Sequence, residues 1–162
     1  MHFEFVSRVL LLLAVANSTP VLIKKLLGNG LSWPLDFGIA FPDGRPIFGP
    51  SKTIRGLAVA VLSTSMFAPL LGLPWSTGLA IGTAAMLGDL ASSFTKRRMG
   101  LASNSMAPGL DQVPESLLPA ILGMSVLGLS LADVGLVVLI FFAGEVVFSR
   151  LFYWLRIRDQ PY

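Results

Sequence analysis

Two aspartates and the three cations between them are of the types, and at the spacing, that a catalytic site would use. They are Asp89, Lys96, Arg97, Arg98 and Asp111, and Asp89 lies inside an apolar run. A carboxylate in such a run is costly unless it is paired. Magnesium binds one or two carboxylates and takes its remaining ligands from water and substrate phosphates. The pattern therefore indicates a site for a metal–nucleotide complex, with Asp89 and Asp111 as candidate metal ligands.

A second group of cations precedes another apolar run. A polar stretch rich in glycine and proline, residues 24–55, leads into Ser51-Lys52-Thr53, which is typical of a helix start. Lys52 and Arg55 fall on one face of the first turn, and the free amides of a helix start bind phosphate. We therefore expect Lys52 and Arg55 to bind a substrate phosphate. The alternative is a pair of cations that reach from apolar surface to water.

The residues that are missing narrow the reaction. The chain has no cysteine, and its single histidine is His2, which excludes thiolate chemistry and removes the usual general base. A phosphate monoester is already ionised at neutral pH and needs no base to act as a nucleophile. Phosphoryl and nucleotidyl transfer depend mainly on positioning and charge neutralisation. The sequence therefore favours a phosphate that attacks the phosphorus of a nucleotide.

The composition is that of an integral membrane protein. Of the 162 residues, 54% are hydrophobic and 13% are charged, against roughly 25% charged in soluble proteins, and the mean hydropathy is +0.75. About 20 apolar residues cross a bilayer as a helix. The segments long enough to do so cover residues 3–27, 57–73, 77–95, 115–132 and 133–155. We expect one all-α domain, residues 1–162, with five transmembrane helices.

Two polar residues interrupt these apolar segments. Asn17, close to Pro20, either lies in a kink that a neighbouring helix satisfies or lines a ligand cavity. Glu145 lies in the middle of the last segment, where pairing with a cation is favoured over protonation or a role in the site.

The distribution of lysine and arginine predicts the orientation. All of them except Arg8 fall in the stretches 24–55 and 96–98 or after residue 149. Basic loops stay on the cytoplasmic side of a membrane. We therefore expect the N-terminus outside, the C-terminus in the cytoplasm, and two long cytoplasmic loops that carry the site.

The acidic and basic motifs resemble those of a known family. One set of motifs is similar to the signature of CDP-diacylglycerol synthases: Gly88-Asp89, Ser93, Lys96-Arg97, Gly100, Pro108-Gly109 and Leu110-Asp111. A second set is similar to motifs of their small archaeal relatives, the CDP-archaeol synthases: Asn17 with Pro20, the run Pro34 to Gly38, Phe48-Gly49, Lys52-Thr53 and Arg55-Gly56. The resemblance implies transfer of CMP from CTP to 2,3-bis-O-geranylgeranylglycerol 1-phosphate in the cell membrane, with Mg²⁺ as cofactor.

The resemblance also implies roles for individual residues. As catalytic residues it gives Asp89, Asp111, Lys96 and Arg97, and as substrate-binding residues Lys52, Thr53, Arg55, Arg98, Asn17, Asp36 and Gly49. The expected partners are CTP, an isoprenoid ether-lipid phosphate and membrane lipids, with a homodimer possible and no nucleic acid.

The chain departs from the larger family at two places. It has Ala102-Ser103 where that family has Lys-Asp, and Asp111-Gln112-Val113-Pro114 in place of Asp-Arg-x-Asp. One carboxylate of the family set is therefore missing, and Glu115 is the residue that could replace it. The number of bound metal ions, one or two, stays open.

Two other functions were weighed against this one. CDP-alcohol phosphotransferases carry Asp-Gly-x-x-Ala-Arg, whereas Asp43-Gly44 is followed here by Arg45-Pro46. A transporter of an organic phosphate usually places its site at the midplane between repeats, whereas these cations flank the apolar runs and no internal repeat is visible.

Overall fold

The chain folds into a bundle of helices. A computed structural model describes residues 2–28, 30–103, 105 and 107–154, without the side chains of 148–153. The helices within these residues are α1 (Phe3–Leu27), α2 (Ile54–Phe67), α3 (Trp75–Arg98), α4 (Gln112–Leu127) and α5 (Leu131–Trp154), and a short 3-10 helix (Ala68–Leu71) prolongs α2. Extended pairing in the described residues is limited to the isolated bridges Pro34–Thr53 and Ala40–Pro46. The predicted all-α class is confirmed.

Two helical segments have the length and hydropathy of membrane-spanning helices. Phe3–Leu27 has 25 residues at a hydropathy of 1.8, and Ile54–Leu71 has 18 residues at 1.6; both are long and apolar enough to cross a bilayer. Helix α4 has 16 residues, which at a rise of 1.5 Å gives about 24 Å, less than the roughly 30 Å of a hydrocarbon core. Five crossings and their orientation therefore stay a prediction.

Glycines allow α3 to pack closely against α2 and α4. A Cβ on Gly78 would lie 2.5 Å from the carbonyl oxygen of Thr64 in α2, and a Cβ on Gly88 would lie 2.2 Å from that of Pro114 in α4. Small residues allow such close approach of helices in lipid. Helix α3 therefore packs closely against both α2 and α4, and the contact at Gly88 fixes the height of Asp89, the next residue.

The core and the exterior of the bundle are both apolar. Buried positions include Val9, Leu13, Ile81, Ala85 and Val137. Met66, Leu70 and Leu139 are exposed on the outside, where each is more than two thirds accessible: 77%, 77% and 69%. An apolar exterior suits lipid, and basic residues lie in the last turns of α1 (Lys24 and Lys25) and of α3 (Lys96, Arg97 and Arg98).

Candidate active site

Lys52 and Asp89 form an ion pair between the start of α2 and the second half of α3. The ammonium group of Lys52, two residues before α2, lies 2.6 and 2.5 Å from the two carboxylate oxygens of Asp89. Both side chains are about a quarter exposed. Burial lowers the pKa of Lys52, but the Asp89 carboxylate outweighs that effect, so the pKa is raised above its ordinary value. Lys52 is therefore held as the cation and supplies a partner for the carboxylate of Asp89 within α3.

Lys96 and Asp111 form a second ion pair. Their Nζ and Oδ1 atoms are 2.6 Å apart, and Lys96 also donates to the carbonyl oxygen of Ser105 at 3.1 Å. The other oxygen of Asp111 accepts the backbone N–H of Ala107 at 2.9 Å. The loop after α3 therefore folds back and returns Asp111 to that helix, as the turn residues of the sequence predict. Asp111 also acts electrostatically on Lys52, more weakly than Asp89 does, so the two ion pairs belong to one charged region, called the cluster below.

Arg97 is buried between this cluster and the loop before α2. Its guanidinium donates to the hydroxyl of Ser103 at 2.6 Å and to the carbonyl of Ala102 at 2.8 Å, the two positions at which the chain departs from the larger family. A Cβ on Gly49 would lie 2.6 Å from the Ser103 hydroxyl. Glycine at this position, with φ at +91°, therefore lets the loop backbone reach Arg97. The Nε of Arg97 is buried without a hydrogen-bond partner among the described residues.

Asp36 organises the loop that approaches Arg97. Its carboxylate accepts backbone N–H groups from Gly38 at 3.1 Å, Phe48 at 3.0 Å and Gly49 at 2.8 Å. Burial raises the pKa of Asp36, but these backbone donors outweigh it and hold the pKa below its ordinary value. The structure therefore gives Asp36 a positioning role, and its predicted contact with substrate stays a prediction.

The remaining predicted substrate-binding residues hold loops and helix ends. The hydroxyl of Thr53 caps α2 by accepting the N–H of Gly56 at 3.1 Å. The guanidinium of Arg55 donates to the carbonyls of Gly28, at 3.0 Å, and Gly30, after the end of α1. Neither side chain joins the Lys52 cluster in these contacts, so their expected phosphate contacts stay predictions.

The contacts of Arg98 also indicate a structural role. It donates to Asp43 at 2.6 Å and to the carbonyl of Pro46 at 2.5 Å. Its guanidinium lies over the rings of Phe41 and Phe94, with centroid distances of 4.5 and 5.0 Å. These contacts fasten the loop before α2 to the C-terminal turn of α3.

Sequence reasoning undervalued Glu115. This residue is 6% exposed, and its electrostatic neighbours include Asp89, Glu145 and Lys52, with Asn17 beside it. It reaches them because α4 crosses α3 at Gly88, where a Cβ would lie 2.7 Å from the Cα of Glu115. Its position four residues after Asp111, one helical turn, is the signal that could have placed it on the same side of α4.

The carboxylates suit a metal that takes most of its ligands from the substrate. Within the described residues no three histidine, cysteine or acidic side chains converge as a ready cation site. Asp89 and Asp111 are two oxygen donors of the kind that Mg²⁺ prefers, and such sites are completed by phosphate oxygens and water. The donor set therefore fits magnesium bound together with a triphosphate.

The fold is similar to that of a solved membrane enzyme. That structure is described as an intramembrane enzyme for archaeal membrane lipids biosynthesis; it is 30% identical, aligns with a TM-score of 0.63 and covers 86% of this chain and 91% of its own. The helical bundle is thus an architecture that this chain shares with an intramembrane enzyme of lipid biosynthesis.

The family follows from the sequence comparison. The family model described as CarS-like, CDP-archaeol synthase, matches residues 4–162, so the chain belongs to this family. The curated CDP-archaeol synthase of Sulfurisphaera tokodaii is 35% identical over 155 residues, which cover 91% of this chain and 89% of that protein. That of Hyperthermus butylicus is 41% identical over 60% of this chain, and the chain spans 59% of its length. The predicted family is confirmed, and a cytidylyltransferase is favoured over both alternatives.

Proposed function

We propose that this chain transfers CMP from CTP to the phosphate of 2,3-bis-O-geranylgeranylglycerol 1-phosphate. A phosphate oxygen of the lipid forms a bond to the α-phosphorus of CTP, the bond from that phosphorus to the oxygen bridging to the β-phosphorus breaks, and pyrophosphate leaves. The observation that supports the proposal most directly is the joined cluster of Lys52–Asp89 and Lys96–Asp111. It places carboxylates that can hold a metal ion beside cations that can bind phosphate.

The cations of the cluster bind and orient the two phosphate groups. Lys52, Lys96 and Arg97 neutralise the triphosphate and the lipid phosphate, so that two anions can approach each other. Asp89 and Asp111 would hold Mg²⁺, which when bound neutralises further phosphate charge and helps to align the leaving group. Asp36 and Gly49 keep the loop before α2 against Arg97 and so fix the position of Lys52. No side chain has to remove a proton, because the attacking phosphate is already ionised.

We further propose that the site faces the cytoplasm in a protein with five crossings. The concentration of basic residues in the loops beside the cluster supports this orientation. Because the chain lacks cysteine, single cysteines at Ser76 and Asn104 can be labelled from either side of a sealed vesicle. Labelling of both from the same side would contradict the five-helix topology.

The two aspartates provide the decisive test of the mechanism. We expect Asp89→Asn and Asp111→Asn each to abolish incorporation of labelled CTP into lipid while the protein stays folded and inserted. The losses should not add in the double variant, since either change already destroys a shared metal site. Glu4→Gln is the control, because it removes a carboxylate that is paired with Arg8 at the start of α1, outside the cluster, and it should keep most activity.

The same variants separate a catalytic role from a structural one. Turnover is measured across a magnesium titration together with the melting temperature. If Asp89→Asn lowers only the melting temperature and keeps both activity and the magnesium optimum, Asp89 is merely the ion-pair partner of Lys52 and the proposed site is wrong. Uptake of CTP into vesicles without incorporation into lipid would instead support the transporter alternative.

A further inference from the structure

The loop between α1 and α2 exposes large apolar side chains in a segment that is otherwise polar. Leu31, Trp33, Phe37 and Ile39 are 66%, 63%, 70% and 58% exposed. Single exposed apolar residues are common on protein surfaces. Four within nine residues form a patch of the kind that marks an interaction surface.

The patch is held by a defined backbone. Pro34 bridges to Thr53, the N–H of Ile54 donates to the carbonyl of Trp33 at 3.1 Å, and the N–H of Leu35 donates to the carbonyl of Lys52 at 2.7 Å. The exposed side chains are therefore attached, through two backbone hydrogen bonds, to the segment that carries the site lysine.

Two of the exposed residues adopt a strained conformation. Leu31 and Phe37 have φ values of +55° and +48°, in the left-handed region that bulky residues rarely occupy. Such a conformation costs about 1–3 kcal/mol and persists only where the surroundings enforce it. The carboxylate of Asp36 supplies that constraint for Phe37, because it accepts the N–H of Gly38 and so holds the turn that directs the ring outward.

The patch continues the lipid-facing surface of two membrane helices. It joins Phe3–Leu27 to Ile54–Leu71, the two segments long and apolar enough to cross a bilayer. Leu26, in the last turn of α1, is 78% exposed, and Ile54, the first residue of α2, is 36% exposed. A segment between the adjacent ends of two such helices lies at the level of the lipid head groups. Tryptophan is enriched at that level because its ring is amphipathic.

We propose that the loop of residues 31–39 is an interfacial anchor that inserts its apolar side chains into the head-group layer of the bilayer. A hollow of about 500 Å³ lined by Trp33, Pro34, Phe37 and Gly38 takes the upper part of a lipid molecule. Through Leu35 and Trp33 the anchor fixes the height of Lys52 relative to the bilayer surface. A lipid phosphate in the head-group layer then lies at the level of the site.

Tryptophan fluorescence tests the anchor in the full-length protein. The chain has three tryptophans, so Trp75→Phe with Trp154→Phe leaves Trp33 as the only one. The protein is reconstituted into phosphatidylcholine vesicles whose acyl chains carry bromine either near the glycerol or near the bilayer centre. We expect strong quenching of Trp33 by the shallow bromine, weaker quenching by the deep one, and little by aqueous acrylamide.

Two outcomes would overturn the anchor. Quenching by acrylamide with none by brominated lipid places Trp33 in water. A change of Trp33 emission on addition of CTP, again without lipid quenching, makes the hollow part of a nucleotide site. Neither outcome bears on the roles of Asp89 and Asp111, which are tested separately by turnover.

Phe37→Asn separates anchoring from folding. Asparagine tolerates the left-handed conformation and removes the apolar ring, so the melting temperature should not fall while quenching of Trp33 by the shallow bromine decreases. A lower melting temperature with unchanged quenching would show that Phe37 packs inside the protein and would contradict the anchor.

Discussion

The contact between α3 and α4 at Gly88 determines whether the acidic residues come together. In Gly88→Ala the new Cβ would lie 2.2 Å from the carbonyl oxygen and 2.5 Å from the carbonyl carbon of Pro114, and 2.7 Å from the Cα of Glu115. All three are backbone atoms, which cannot rotate away as the end of a side chain can. The helices must therefore separate by about 1 Å to restore contacts of ordinary length.

The size of the effect follows from two opposing terms. Overpacking of this kind costs about 1–3 kcal/mol, whereas alanine in a helix is favoured over glycine by about 1 kcal/mol. The net loss of stability is thus at most about 2 kcal/mol, or a fall in melting temperature of a few degrees for a chain of this length. Activity should suffer more, because a displacement of about 1 Å in a catalytic group can cost roughly 10²-fold.

Gly135→Ala provides the matched control. A Cβ on Gly135, in α5, has no neighbour within 4 Å, so this variant should keep its activity and should not lower the melting temperature, since alanine favours the helix. Thermal unfolding and incorporation of labelled CTP into lipid are measured for both variants in the same detergent. If Gly88→Ala behaves like Gly135→Ala in both measurements, the close crossing of α3 and α4 does not position the site and the reasoning fails.

Four further variants test the division between the cluster and the residues that support it. Lys52→Ala should raise the KM for CTP far more than Arg55→Ala, because Lys52 contacts a cluster carboxylate and Arg55 contacts the carbonyls after α1. Equal increases in KM would mean that both residues act only through their positive charge. Arg98→Ala should lower the melting temperature with little change in that KM, and a large KM effect alone would make Arg98 a substrate ligand. Burial raises the pKa of Asp36, but the backbone N–H groups hold it below the ordinary value of 3.8. The stabilisation from this carboxylate is therefore complete when the pH is above 3.8, and it is lost as the pH falls through the lower pKa of the folded protein. Asp36→Asn should therefore flatten the acid side of the curve of melting temperature against pH, and an unchanged curve would exclude this role.

The helices could be predicted because each is encoded locally. The first segment was expected over residues 3–27, as α1 is, and the last over 133–155, close to the observed Leu131–Trp154. The second apolar segment was expected from residue 57, with the helix starting at Ser51-Lys52-Thr53. The helix starts at Ile54, because Thr53 caps it, so the expectation that Lys52 lies in the first turn was wrong. Periodicity and length suffice for such segments. The loop before α2 could not be predicted, since its shape depends on contacts such as Asp36 with Gly49 and Arg98 with Asp43.

The composition of the site could be predicted, but its pairing could not. The motifs indicated that Asp89, Asp111, Lys52 and Lys96 belong together. Which lysine meets which aspartate depends on helix packing, since Lys52 and Asp89 are 37 residues apart in the chain. Glu115 was undervalued for the same reason, because only the close crossing at Gly88 brings it near Asp89.

The two ion pairs explain how such a cluster is stable before substrate binds. An unpaired carboxylate at the edge of a membrane is costly, and breaking a buried pair leaves an uncompensated charge. With Lys52 on Asp89 and Lys96 on Asp111, the four charges cancel. In the proposed reaction, the aspartates would hold magnesium while the lysines bind the triphosphate. Each side chain then exchanges one partner of opposite charge for another, so the site can open for the nucleotide without passing through a state of unpaired charge.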